Sequence, residues 1–277
     1  MNIDLILQIP SPLKEVLEFE GVYDPELLAE IYKDIYKGLK NTQIIRWGVF
    51  GLPGMGKSTI CKRVYFHLRR HVPIIYFPEA ADYAVKVLGL PIIDFEPFLN
   101  KVYKQMEVLI NELVLKMPGL IILKEPPNLQ NEIYLLIQKS YTGIEHYRRI
   151  LDKLASGVAH DYWDSKAVSS LSSLITENRT LNNLEMKGPW LIEFAGLTTT
   201  NPLEDLSISL NRQSNPNRDP RLTTSNLALL CGYLVGINSL IKNIEQSGKM
   251  VMILNPNESI ENLSLEMERL IIDSSSL

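Results

Sequence analysis

Apolar positions in this chain fall into short runs separated by longer stretches of helical periodicity. Residues 44–50, 72–77, 120–123, 190–194 and 250–254 are compact and apolar. Several are fenced by breakers: Pro73 and Pro78 around the second, Pro126 and Pro127 after the third, Gly188-Pro189 before the fourth and Gly248 before the fifth. Such runs predict buried strands. Between them the spacing changes. In 24–39 Asp24 stands as a helix cap, Pro25 opens the first turn, and Leu27, Leu28, Tyr32, Ile35 and Leu39 recur near helical spacing. Helices are also expected over 58–70, over 80–88 and from Lys166 onward. Strands alternating with helices argue for βαβ units, hence an α/β chain with a mostly parallel five-stranded sheet covered on both faces.

Composition narrows the classes. The 277 residues are 45% hydrophobic and 22% charged, ample for a core and unlike a disordered or collagen-like chain. With 28 basic against 32 acidic residues, the formal charge of −4 gives no general pull toward nucleic acid or an anionic membrane. Two cysteines, Cys61 and Cys231, are too few for a disulfide framework or a cysteine zinc site. The four histidines show no metal-ligand spacing, and no 20-to-50-residue repeat occurs. No basic signal region opens the chain, and its longest apolar stretch, 227–237, falls short of the roughly 20 residues of a membrane span. The expectation is a cytoplasmic protein built as a helical extension over 1–43, a main domain over 44–272 and a frayed tail over 273–277.

The sharpest motif is Gly51-Leu52-Pro53-Gly54-Met55-Gly56-Lys57-Ser58-Thr59, which satisfies G-x-x-x-x-G-K-[ST] between a strand and a helix. Glycines let backbone N–H groups converge on phosphate oxygens, and the following helix adds its positive end. This predicts a phosphate loop of residues 51–59 binding a nucleoside triphosphate, Lys57 on the β- and γ-phosphates and Ser58 on Mg²⁺. The implied cofactors are ATP and Mg²⁺.

Ligands of open α/β sheets gather at the carboxyl ends of strands, so the residues there are the further candidates. Glu79 follows the second run and could take a proton from an acceptor hydroxyl, or simply favour a helix start with Asp82. His160-Asp161-Tyr162-Trp163-Asp164-Ser165 offers Asp161 as a base, unless Asp164 or Ser165 merely caps the next helix. Arg212, Arg218 and Arg221 punctuate 211–221, which reads as a loop and could close as a lid that neutralises phosphoryl-transfer charge. Glu193, before Gly196, could touch Mg²⁺ or its water, or point to a polar partner inside its strand.

Taken together, the order of parts resembles the P-loop nucleoside and nucleoside-monophosphate kinases, most nearly the thymidylate kinase group. Phe77-Pro78-Glu79 resembles that group's Phe-Pro-Glu-Arg turn, with Ala80 in place of the arginine. Residues 160–165 with Ala167 are similar to its Asp-Arg-Tyr-x-x-Ser-x-x-Ala stretch, lacking the Asp-Arg pair, and Leu123-Lys124-Glu125-Pro126 resembles a bacterial Arg-Glu-Pro turn. Either 72–77 or 120–125 could therefore be the second core strand. The resemblance implies a three-layer P-loop fold and transfer of the γ-phosphoryl of ATP to a nucleoside, nucleoside monophosphate or similar acceptor. An alternative, favoured by the missing Asp-Arg pair and the helical preface, is a degenerate ATPase that regulates a protein partner. A third is a metal-chaperone-type GTPase, from the likeness of 192–197 to a Glu-x-x-Gly strand end. A homodimer is compatible with each.

Overall fold

A computed structural model describes residues 8–36, 45–91, 95–178, 191–217, 220–224 and 226–275. Its centre is a parallel sheet of β1 (Ile45–Gly51), β2 (Ile74–Phe77), β3 (Ile121–Lys124), β4 (Leu191–Leu197) and β5 (Val251–Leu254), in the order β2-β3-β1-β4-β5. β1, β2 and β3 are buried at every position, as expected of parallel strands covered on both sides. Both contested segments are strands: β3 lies between β2 and β1, and β2 forms the edge.

The strand order decides where the helices go. From β1 the chain crosses toward β2, whereas β3 to β4 and β4 to β5 run the opposite way. Right-handed crossovers therefore place α3 (Lys57–Leu68) on one face and α6 (Asn128–Gly143), α7 (Glu145–Ala159), α8 (Ser165–Asn178) and α10 (Leu227–Gln246) on the other. The contacts agree: α11 (Ile260–Ser275) packs on α3 and β1, while α10 packs on α6, α7, α8 and β5. The reversal between the connections leaving β1 and β3 opens a crevice beyond the carboxyl ends of those two strands. The 51–58 loop follows one of them and Glu125 follows the other.

The N-terminal preface is joined to this core. α1 (Leu13–Phe19) buries Leu13, Val16 and Leu17 and packs on α5 (Phe95–Lys116), which follows the short α4 (Ala81–Lys86). In α2 (Pro25–Tyr36), Tyr32 donates its hydroxyl to the Pro118 carbonyl at 2.9 Å, and Tyr65 of α3 donates to Val22 at 3.1 Å. Residues 1–7 and 37–43 of the expected extension lie outside the described residues, as do 37–39 of the expected helix and Trp190 of the fourth run. At the other end α11 runs through Ser275, so the described part of the expected frayed tail is helical.

Candidate functional site

The 51–58 loop is shaped from two sides. At its base Gln130 of α6 accepts the Gly51 N–H at 3.2 Å and returns its own N–H to the Gly51 carbonyl at 3.1 Å; Tyr134 donates to that carbonyl at 2.9 Å. Across the loop stands α9 (Pro202–Gln213), whose Ser209 hydroxyl donates to the Pro53 carbonyl at 2.6 Å. Arg212 donates to the carbonyls of Met55 at 2.6 Å and Pro256 at 2.5 Å. Gly54 (φ +82°) and Gly56 (φ +96°) are left-handed, and a Cβ on Gly54 would lie 3.0 Å from the Gln213 side chain. Side chains at these two positions would strain the backbone, and one at Gly54 would also crowd α9.

Gly56 is the N-cap of α3, so the first turn begins at Lys57. Its leading N–H groups have no partners inside the helix and carry the positive end of the helix dipole. Gly54, Gly56, Lys57, Ser58 and Thr59 face a cavity of about 410 Å³. Gly51 and Met55, counted above among the phosphate-loop residues, do not line it. Gly51 is bonded to Gln130, and Met55 is a buried anchor with its side chain in the core. Lys57 is 6% exposed, its ammonium donating to the Leu52 carbonyl at 3.2 Å. A glycine turn, a helix start and a buried ammonium are groups that could hold an anion.

Beneath Ser58 lies Glu125, which the sequence reading did not single out as a site residue. It is fully buried at the carboxyl end of β3, accepting the Ser58 hydroxyl at 2.9 Å on one oxygen and the Tyr76 hydroxyl at 2.8 Å on the other. Burial is the main cause that pushes its carboxyl up to about 7; Lys57 opposes this, the charge of Glu79 adds to it, and the two hydroxyls pull it down. The available signal was an acid two residues past the apolar run 120–123, where the carboxyl end of a strand is expected. Ser58 and Glu125 form an oxygen-only pair suited to a hard divalent cation that takes its other ligands from water and phosphate. Among the described residues no three His, Cys, Asp or Glu side chains cluster.

The turn after β2 and the helix α4 add Glu79, Asp82 and Lys86 to the cavity wall. Burial is the main cause that raises the pKa of Tyr103, Tyr134, Tyr233 and Glu125, and the charge of Glu79 adds to each rise. α6 and α10 add Asn131, Tyr134, Gln138 and Tyr233. The two tyrosine rings stack with centroids 4.1 Å apart.

Other expected residues lie elsewhere. Asp161 is exposed in the turn after α7 and does not line the cavity. The same stretch serves the fold: Asp164 accepts the Ala167 N–H at 2.9 Å as a helix cap and pairs with Lys153 at 2.6 Å. Glu193 pairs in register with Trp47, four positions before the end of β4, so its strand carries it well short of the carboxyl edge. Burial raises its pKa, and Lys249 is the charge that opposes the rise. Arg212 stands in the last turn of α9 and braces the loop, so 211–213 belong to a helix and not to a lid. Residues 220–222 form a 3₁₀ turn. Arg218 and the Arg221 side chain lie outside the described residues. No protein-family model and no curated protein matches this chain, so the case for its function rests on the geometry of this loop and cavity.

Proposed function

We propose that the chain binds Mg²⁺-ATP on the 51–58 loop and transfers the γ-phosphoryl group to a small acceptor held in the adjoining cavity. The observation that carries this reading is the Ser58–Glu125 hydrogen bond at the mouth of a left-handed glycine loop, opening onto a cavity whose lining includes the Glu79 carboxylate. Lys57 would release the Leu52 carbonyl and turn to the β- and γ-phosphates. Ser58 and, through water, Glu125 would hold Mg²⁺, which when bound neutralises the triphosphate and polarises its terminal group.

The remaining chemistry belongs to side chains that line the cavity. Glu79 orients the acceptor hydroxyl and receives its proton. The acceptor oxygen forms a bond to the γ-phosphorus, the bond to the β,γ-bridging oxygen breaks, and its electron pair leaves with ADP. Closely packed walls and a fixed loop lower the barrier mainly through positioning and electrostatics. Arg212 acts at one remove, fixing the Met55 carbonyl and with it the course of the loop.

The test is incubation with γ-labelled ATP and Mg²⁺ over a panel of nucleosides and nucleoside monophosphates. Label on an acceptor supports the reading; label released only as free phosphate defeats the transfer half. Lys57→Ala should weaken calorimetric ATP affinity by at least about 100-fold, the loss of a buried cation facing phosphate. Unchanged affinity would overturn the triphosphate assignment.

A further inference from the structure

α6 begins just behind the carboxyl end of β3, so its first turns meet the ligand end of the sheet. Asn131, Tyr134 and Gln138 recur at the spacing of one helical face, and all three line the cavity. Most polar groups along this helix are already committed. Gln130 is bonded to both backbone groups of Gly51, and the Tyr134 hydroxyl donates to the same Gly51 carbonyl. Gln138 donates to the Tyr233 hydroxyl at 2.8 Å. Asn131 differs. It is 9% exposed, and its side chain makes no hydrogen bond to another described residue. The helix makes no use of this carboxamide, since the Asn131 backbone N–H donates to the Pro127 carbonyl at 3.3 Å. Two N–H donors and an acceptor oxygen, groups that folded proteins rarely bury without partners, are thus presented to the cavity.

The surfaces beside it are flat and apolar. Phe95 and Leu99, one turn apart on α5, line the same cavity, and the rings of Tyr134 and Tyr233 stack with centroids 4.1 Å apart. Walls of this kind favour a planar ring, which keeps contact over its faces while its edge stays free for hydrogen bonds. A saturated ring offers them no flat face. The volume of about 410 Å³ lies within the roughly 300–1,000 Å³ of small-molecule sites.

We infer that Asn131 selects the acceptor by hydrogen-bonding the edge of a planar heteroaromatic base, an edge that carries an N–H donor next to an acceptor oxygen or ring nitrogen. This rests on the proposed triphosphate site and deepens it by naming the residue that determines specificity and the group it reads. The carboxamide oxygen accepts the N–H of the base, and the carboxamide N–H donates to the neighbouring acceptor atom, two bonds in one plane. Phe95, Leu99 and Tyr134 bear on the ring and hold that edge toward Asn131.

The test is isothermal titration of the full chain with the loop occupied by a non-hydrolysable ATP analogue and Mg²⁺. Thymidine, cytidine, adenosine, guanosine and their 5′-monophosphates are each compared with a counterpart whose edge N–H is replaced by methyl. The methyl stands on N3 of thymine or N1 of guanine, and the amines of cytosine and adenine are doubly methylated. At least one compound should bind, and its methylated counterpart at least about tenfold more weakly. Asn131→Ala should narrow that ratio to about twofold or less by weakening the unmethylated compound, with affinity for the ATP analogue kept within about twofold of the parent. Equal binding of the methylated compound overturns the inference, as does a ratio that survives Asn131→Ala. Narrowing through tighter binding of the methylated compound also overturns it, since Asn131 would then only crowd the ring. Weakened binding of the ATP analogue in the variant overturns it by assigning Asn131 to the loop. If the analogue binds and no base-bearing compound does, the inference falls and the triphosphate reading stands. Absence of analogue binding in the parent removes both.

Discussion

Replacing Glu125 with glutamine should make the unliganded protein more stable and less able to use Mg²⁺. The unfolded carboxyl ionises near 4.5, whereas burial pushes the folded group up to about 7. Between those values the folded state holds the extra proton, so stability falls as pH rises from about 4.5 to about 7, and the full penalty persists above. At about 1.4 kcal/mol per tenfold change in proton activity, the gap amounts to about 3 kcal/mol. Glutamine carries no such penalty. It can still meet both neighbours if the Tyr76 or Ser58 hydroxyl turns to accept the new N–H, with a loss of about 1 kcal/mol for the altered bond. Urea unfolding should therefore show Glu125→Gln stabilised by about 2 kcal/mol at about pH 8 and by nearly nothing at about pH 5. For a chain of this length that is a Tm rise of about 4 °C at the higher pH. In the same variant Mg²⁺-dependent ATP affinity should fall about tenfold or more. A variant less stable than the parent at about pH 8, or a difference independent of pH, would refute the reasoning.

Other perturbations separate loop geometry from fold. Gln130→Leu removes the acceptor of the buried Gly51 N–H and should cost about 1–3 kcal/mol in urea unfolding, with weaker ATP binding; an unchanged midpoint would show that the loop base needs no such clamp. Arg212→Ala frees the Met55 and Pro256 carbonyls and should lower ATP affinity about tenfold while far-UV circular dichroism stays the same; retained affinity would remove the bracing role. Asp161→Ala should leave ATP affinity and any transfer rate within about twofold of the parent, as for an exposed turn residue, and a larger loss would return 160–165 to the site.

The sequence reached the strands and the loop because both are local. The five apolar runs became the five strands, and 51–58 became the turn into α3, since strand burial and the two left-handed glycines depend on residue type at neighbouring positions. Site residues contributed from a distance were legible in proportion to their local signal. Glu79 lines the cavity, and its signal was local: it stands two residues after a strand, at the edge where ligands gather. Asp161 was favoured from an unusual local cluster, yet that cluster serves a helix cap, and no spacing along the chain distinguishes the two uses. Glu193 lies on the right strand at the wrong height, a matter of register with β1 that no single segment encodes.

Glu125 marks the boundary most clearly. Its chemistry depends on Ser58, 67 positions earlier, and on Tyr76, 49 positions earlier. They meet only because β3 is inserted between β1 and β2. Arg212 likewise reads as a loop arginine until α9 is laid against the 51–58 turn. The sequence by itself determined the α/β class and a glycine turn into a helix; the strand order decided which carboxylate stands beneath that turn. Hydrophobic periodicity and backbone conformation are short-range properties. The partner of a buried charge is chosen by how the sheet is wound.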